Sequence, residues 1–378
     1  MLTPTQRQAL RTIAEGGPLS RSDLADRLDL SKAAMTTLVR DLIQGGVLRE
    51  TETVRGLGRP SILLGINPAS AYFVGISLID DPMMMVMTDL NGDIAAQAAL
   101  PRSRDPLAVV QDIAAGISLL LEGKPVRRDQ LAGIGITLSG LVDPSQGICL
   151  QSTLLGWQDV PLATMVEGAT GLPTYMENDA KAVAISQHLY GPARDVRSFC
   201  LVSVGAGIGS AHVIDGQLYR GRRGGAGEIA HCTIEIGGRP CRCGKRGCLD
   251  TIASVSAILG EAASSGLPCQ SVAELEALAA TGEARAVRIL HHAGEALGLA
   301  IAHIIQINDP ELILITQDEA PLDGLIGRAM RQAIDAHVLP LSAGQTPIHI
   351  VPTQPDHWAR GAAGLVAHKF FHDPDFFQ

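Results

Sequence analysis

The chain is poor in aromatic residues. Phe, Trp and Tyr together make up 3% of its 378 residues, too few to build a stacking platform for single-stranded nucleic acid. It lacks any run of about 18 apolar residues, so no segment reads as a transmembrane helix. The first residues, MLTPTQRQALRTIAEGG, lack a long apolar stretch. No secretory signal and a cytoplasmic location are therefore expected. Charge is sparse, at 18%, while hydrophobic residues reach 46%. That balance describes a well-cored globular chain and excludes disorder. The length exceeds one ordinary domain and predicts two or three.

The net charge of -9 is unevenly spread. Residues 1–66 hold nine Lys+Arg and seven Asp+Glu, a balance of +2, and the remainder holds 21 and 32, a balance of -11. A mildly basic head precedes an acidic body. Three of the seven cysteines, Cys241, Cys243 and Cys248, fall within eight positions. In a reducing compartment such a cluster reads as metal ligation before disulfides.

Three helices are predicted before residue 45. The first spans about Thr5–Glu15, with Ala9, Leu10, Ile13 and Ala14 on one face and Gly16-Gly17 as its stop. The second opens at Ser20 or Ser22 and carries Leu24, Ala25 and Leu28. After a short turn, Ser31 caps a third running to about Gln44, with Ala34, Leu38, Val39, Leu42 and Ile43 apolar. Two short helices split by such a turn form a helix-turn-helix. Its second helix enters the major groove, with its N-terminal residues at the base edges. The outward positions are Lys32, Ala33, Thr36, Thr37 and Arg40. Two short strands around the Gly56-Leu57-Gly58-Arg59-Pro60 turn make a wing, whose Arg55 and Arg59 suit a minor groove or phosphates. Operator DNA is thus an expected partner. Such heads commonly act as dimers on two half-sites, so a homodimer or homotetramer is expected.

From residue 70 strands and helices alternate, which makes the class α/β. Strands are predicted at Tyr72–Ile79, Pro82–Leu90, Ile94–Leu100 and Leu131–Thr137, with a helix at Leu107–Leu121. Met83, Met84 and Met85 read as core strand. Long helices are predicted at Ala284–Ile304 and about His357–Phe371. Five segments carry chemistry. They are Ser139 to Pro144 with Gly156-Trp157 downstream, Glu177 to Val183, the glycine loop Val202 to Ser210, Gly224 to His231, and Cys241 to Asp250. The Cys-x-Cys-x4-Cys spacing in the last supplies three sulfur ligands for a metal ion.

With these segments in this order, the chain resembles the ROK family of repressors, open reading frames and sugar kinases. The head-plus-body layout is similar to its transcriptional-repressor branch, where xylose and N-acetylglucosamine repressors belong. The resemblance implies a winged helix-turn-helix followed by a two-lobed actin-like, ribonuclease H-like sugar-kinase fold. The domains would be 1–66 for the head, 67–190 plus about 357–378 for a small lobe, and 191–356 for a large lobe. It implies a structural Zn2+ held by His231, Cys241, Cys243 and Cys248, one nitrogen and three sulfurs that suit a closed tetrahedral site. It also implies a sugar held by Asn178, Asp179, Glu228, His231 and Asp250, with Ser139 and Gly140 lining the same site. Asp250 stands where the family usually has Glu. An Asn expected shortly before Gly156-Trp157 is missing, and Thr153 stands nearest.

Asp179 matches the base position of the family's kinases. Their Asp-x-Gly-Gly-Thr phosphate turn, however, corresponds here to Ser77-Leu78-Ile79-Asp80-Asp81. Side chains there block close approach to phosphate, and the two acids repel it. The expected adenosine loop carries Thr316 and Gln317 in place of glycines, so of the ATP elements the loop of Gly205, Gly207 and Gly209 remains. No ATP binding and no catalytic residue are expected. The expected function is a sugar-responsive transcriptional regulator, most simply a repressor, with a sugar or sugar phosphate as effector. The competing expectation is an ATP-dependent sugar kinase with a DNA-binding head. A third is a body that binds another protein. Arg220, Arg222 and Arg223 read as a solvated loop, and His291-His292 as structural.

Overall fold

A computed structural model of the protein describes residues 3–54, 61–317 and 322–373. The chain divides into two compact units, residues 1–195 with 356–378, and residues 196–355.

The first unit opens with α1 (Pro4–Gly16). Its Thr3 hydroxyl accepts the Gln6 N–H while the Gln6 side chain accepts the Thr3 N–H. This capping box satisfies two otherwise orphaned helix donors. A two-residue strand, β1 (Leu19–Ser20), leads into α2 (Arg21–Leu28), and Ser20 caps it through the Asp23 N–H. Asp29 then turns the chain in the left-handed region at φ 52°, and Ser31 caps α3 (Lys32–Gln44). Met35, Leu38, Val39 and Leu42 are buried, at the i, i+3, i+4, i+7 spacing of one helix face. Ala34, expected in that stripe, is exposed instead, because Met35 occupies its phase. The strands β2 (Leu48–Val54) and β3 (Ser61–Ile66) pair antiparallel, and β1 joins the far edge of β3. The head is a winged helix-turn-helix.

The rest of this unit is built on a five-stranded sheet of β4 (Tyr72–Ser77), β5 (Met83–Thr88), β6 (Ile94–Leu100), β7 (Leu131–Leu138) and β11 (Thr174–Asn178), ordered β11-β7-β4-β5-β6. The strands β4 to β6 form an antiparallel meander, and β7 and β11 add parallel to it. A smaller antiparallel sheet holds β8 (Leu141–Asp143), β9 (Ile148–Ser152) and β10 (Trp157–Val160). Val74 and Ile76 face the core shared with α4 (Pro106–Leu121) and α5 (Leu162–Thr170). Phe73 faces the other way, onto the core shared with the C-terminal helix. The helix α6 (Asp179–Tyr190) follows β11 directly.

The second unit repeats this plan. Its sheet holds β12 (Phe199–Val204), β13 (Ile208–Ile214), β14 (Gln217–Tyr219), β15 (Leu312–Gln317) and β16 (Ile348–Pro352), ordered β14-β13-β12-β15-β16. Again an antiparallel meander of three strands gains two parallel ones. The helices α7 (Asp250–Ala253), α8 (Val255–Ser264), α9 (Val272–Ala280), α10 (Ala284–Asn308) and α11 (Leu325–His337) complete it. Such a repeat is the layout of the actin-like sugar-kinase fold. No helix among the described residues is long and apolar enough to cross a membrane.

The last helix, α12 (His357–His372), returns to the first unit. It lies against β4 and β7, where a Cβ on Gly75 would stand 2.0 Å from the Ala359 carbonyl oxygen and one on Gly135 1.9 Å from that of Ala362. Ala363, Val366 and Phe370 of α12 share one apolar cluster with Leu10, Leu24 and Leu42 of the head. The head is therefore cored together with α12 rather than tethered to it.

At the start of α12, burial pushes His357 down to about 4, against an ordinary value of 6.5. Asp356 opposes that shift and Arg360 adds to it. Its Nε2 has no hydrogen-bond partner among the described residues. The folded chain keeps this imidazole neutral where the unfolded chain takes up a proton. Stability is thus fully present above pH 6.5 and falls as pH drops towards 4, by at most about 3 kcal/mol. Urea midpoints at pH 7.5 and pH 5 should differ accordingly, and His357→Gln should shrink the difference.

Candidate functional site

The metal-ligating residues come together. One donor atom from each of His231, Cys241, Cys243 and Cys248 lies within 4.8 Å of the other three. The Cys243 and Cys248 sulfurs are 3.6 Å apart, and His231 Nδ1 is 3.6 Å from the Cys241 sulfur. A tetrahedral ion with metal–sulfur bonds of about 2.3 Å holds its sulfurs about 3.8 Å apart. The set therefore fits a metal ion without rearrangement. Backbone geometry builds it. The Cys241 N–H donates to the Lys245 carbonyl, the Gly244 N–H to that of Cys241, and the Leu249 N–H to that of Cys232. Gly247 takes φ 71°, and a Cβ on it would stand 1.6 Å from the Glu235 carbonyl oxygen. The Lys245 ammonium donates to the His231 carbonyl at 2.6 Å. Burial pushes the Cys248 thiol up to about 12, and the neighbouring thiols add to it. Cys243 is lowered, chiefly by the backbone N–H of Lys245. Cys232 is exposed and outside the cluster.

The predicted sugar residues fall in both units. In the first, parallel pairing of β7 with β11 sets Asn178 beside Leu138, so the turn after β7 meets the start of α6. The Asn178 amide donates to the Gly140 carbonyl at 3.2 Å, and its side-chain oxygen caps α6 through the Lys181 N–H. Asp179 is the first residue of α6, and the carbonyl of Ser139 accepts from the Ser152 hydroxyl. Ser139, Gly140, Asn178 and Asp179 are thus one group. Lys181 and Glu177 beside them are buried, a charged environment that the segment's spacing did not single out. In the second unit, Glu228 is exposed at the end of a loop pinned to β13 by the Ser210 hydroxyl, which donates to the Gly227 carbonyl. Gly227 takes φ 86° there. His231 follows one turn later, and Asp250 opens α7.

Asp250 is already engaged. One carboxylate oxygen accepts the Ile208 N–H at 3.2 Å, and the other lies 3.4 Å from Arg242 Nε. This pair joins the metal loop to the glycine loop, and sequence spacing gave no signal for it. It likewise gave none for the His292–Glu235 contact at 2.8 Å, which ties α10 to the segment before the cysteines. Cys149 and Cys200 are buried, and burial raises them to about 11 and about 12. Cys269 is half-buried at the edge of the second unit's core.

At the nucleotide positions, Ser77 and Leu78 are buried as β4 ends, and Asp81 faces Arg102 at 3.6 Å. Thr316 is buried, and the Gln317 side chain accepts the Leu322 N–H. These positions therefore carry packed or paired side chains where the resemblance expects glycines.

In the head, Lys32, Ala33, Thr36, Thr37 and Arg40 are all exposed on the outer face of α3. Arg40 pairs with Asp41 at 3.1 Å. Arg55 and Arg59 lie outside the described residues.

Comparison with known proteins places two regions. Residues 73–369 match the ROK family and residues 2–56 the MarR family. A putative xylose repressor of Caldicellulosiruptor sp. is 30% identical over 341 residues, 86% of either chain. The N-acetylglucosamine repressor of Escherichia coli O6:H1 is 26% identical over 368 residues, 94% of this chain and 90% of that one. The crystal structure of a ROK family transcriptional regulator, a homologue of the E. coli MLC protein, superposes with a TM-score of 0.82. It is 28% identical, over 97% of this chain and 96% of that one.

Proposed function

The chain belongs to the ROK family, and from that premise we propose a DNA-binding transcriptional repressor whose kinase-like body binds a sugar or sugar phosphate without phosphorylating it. The observation that carries this reading is one chain in which a helix-turn-helix head and a ROK body share an apolar core. A ligand that shifts the body can then shift the head, and effector and operator affinities must change reciprocally. Asn178, Asp179, Glu228, His231 and Asp250 are the proposed effector contacts, with Ser139 and Gly140 beside the first two. Lys32, Ala33, Thr36, Thr37 and Arg40 are the proposed DNA contacts of α3, and Arg55 and Arg59 those of the wing. The metal is proposed to be a structural Zn2+, which a closed set of one imidazole and three thiolates suits. His231 would bind it through Nδ1, leaving Nε2 for the sugar. The side chains at these nucleotide positions argue against an ATP-dependent kinase. The protein is proposed to act in the cytoplasm as a dimer or a dimer of dimers.

The test is an operator titration. Duplexes selected from a random pool are titrated by fluorescence anisotropy with and without glucose, xylose or N-acetylglucosamine, each also as its phosphate ester. One ligand should change operator affinity about 10-fold or more. Lys32→Ala should weaken DNA binding and lower the salt slope by about one, as loss of one phosphate contact does. It should leave ligand binding unchanged. Operator affinity indifferent to every ligand would sink the reading, and Asp179-dependent ATP turnover would replace it with the kinase.

A further inference from the structure

The segment that joins head to body, residues 67–70, is bonded on both sides. On the head side, the Asn67 N–H donates to the Val47 carbonyl at 2.8 Å, and its side-chain amide donates to the Gly46 carbonyl at 2.6 Å. Gly46 and Val47 join α3 to β2. On the body side, the Pro68 carbonyl accepts the Leu90 N–H at 3.2 Å, and the Ala69 carbonyl accepts from the Gln130 side chain at 2.9 Å. Leu90 lies in the turn between β5 and β6, which the Asp89 carboxylate ties together by accepting the Asn91 and Asp93 N–H groups.

That turn meets the far end of α6. Gly92 takes φ 80°, and a Cβ on it would stand 2.8 Å from the Tyr190 ring. The Tyr190 hydroxyl faces the Leu90 carbonyl at 3.5 Å. Tyr190 is the last residue of α6, and Asp179, capped by Asn178, is the first. One helix of 12 residues, about 18 Å long, thus runs from the proposed effector contacts to the turn that holds the linker. It is backed by α12, where a Cβ on Gly361 would stand 3.0 Å from Val183 and one on Gly364 2.9 Å from Ser186. Elements packed this closely move as bodies rather than deform.

We propose that Asn67 is a positioning residue through which effector binding at Asn178 and Asp179 re-aims α3. The inference rests on the sensor reading above and names its route. The Asn178 amide donates to the Gly140 carbonyl. A sugar hydroxyl that takes this amide displaces that bond, and α6 shifts as a unit. Tyr190 passes the shift to the turn at Leu90–Gly92, and the Leu90 N–H passes it to Pro68. Coupling needs an element with two discrete arrangements. The Asn67 side-chain bond is one, made or broken, on the segment that leaves α3. The apolar contact of the head with α12 is non-directional and holds the head in either setting. A hydrogen bond to one carbonyl sets an angle.

The test uses the full-length protein with operator anisotropy and hydrogen–deuterium exchange. The probes are glucose, xylose, N-acetylglucosamine and their phosphate esters. Where one of them changes operator affinity about 10-fold in the parent, Asn67→Ala and the isosteric non-donor Asn67→Asp should respond by less than about 2-fold. Affinity of the DNA-free variants for that ligand should stay at the parental value. Gln130→Ala cuts the other bond between linker and body, off the α6 route, and should keep the full response. The proposal is overturned if Asn67→Ala keeps the parental response. It is also overturned if Asn67→Ala and Gln130→Ala lose the response alike, which would make Asn67 only a support of the linker. A parent that answers none of the probes would sink the sensor reading, and a ligand-free arm then decides the route. Asn178→Ala removes the cap of α6 and should speed exchange in residues 45–48 and 66–70. Adding Asn67→Ala should abolish that increment in residues 45–48. Exchange unchanged by Asn178→Ala in both stretches would overturn the route.

Discussion

Cys248→Ser should empty the metal site. Cys248 is wholly buried, and its sulfur lies 3.6 Å from that of Cys243. Serine offers a harder, far less acidic ligand, and three remaining donors do not close a tetrahedron. The backbone of the loop is pinned here by the bridge between Thr233 and Cys248, and beside it by the Leu249 N–H donating to the Cys232 carbonyl. Structural zinc contributes about 10 kcal/mol or more of binding free energy in small peptide sites. In a unit already cored by α10 and β15, a loss of about 3 to 5 kcal/mol is expected, which lowers the thermal midpoint by roughly 10 °C. Metal content by mass spectrometry should fall from one ion per chain to none. Effector binding should fall with it, because the proposed effector contacts His231 and Asp250 hang on this loop. A Cys248→Ser protein with full metal content would remove that thiol from the site. Cys232→Ser is the control, and since Cys232 is exposed outside the cluster, it should change neither quantity.

Gly135→Ala should be the most damaging single-methyl change in the first unit. The added carbon would stand 1.9 Å from the Ala362 carbonyl oxygen and 2.7 Å from its carbonyl carbon. Both belong to backbone, so no side chain can turn aside. The helix α12 must lift from β7 by more than 1 Å, and Gly75 on β4 sits under the same helix. Overpacking a core usually costs about 1 to 3 kcal/mol. With rigid backbone on both sides, about 3 kcal/mol or more is expected. Urea unfolding measures the loss. Since α12 shares its apolar cluster with the head, operator affinity should drop alongside stability. Gly168→Ala is the contrast. It lies within α5 with nothing within 4 Å of the new Cβ. There alanine should stabilise by about 0.5 to 1 kcal/mol. Equal stability of the Gly135→Ala and parent proteins would mean that α12 is held more loosely than the contacts imply.

Much of this molecule was legible one residue at a time. The head was readable because its signals are local. Ser20 and Ser31 cap the helices that follow them, and the apolar stripe of α3 repeats at helical spacing. The one slip, Ala34 for Met35, arose because alanine is small enough to sit on either side of a stripe boundary. The three clustered cysteines announced a metal by spacing, while His231 entered only through the family pattern. Four of the five strands in the first unit's main sheet were visible as apolar runs between turn residues.

What the sequence determined by itself is therefore local chemistry: capped helices, apolar strands, a thiol cluster, and acids and amides in glycine-rich turns. Each depends on residues within a few positions of one another. Tertiary structure decided which of those groups meet. Gly75 and Gly135 are glycine because α12, more than 200 residues later, lies on them. Arg242 is a cation between two cysteines in the sequence, and folding sets it near Gly207 and beside Asp250. Side-chain reach is a few ångströms, whereas sequence separation says nothing of distance once the chain is packed, so only the fold assigns those two glycines and that arginine their tasks.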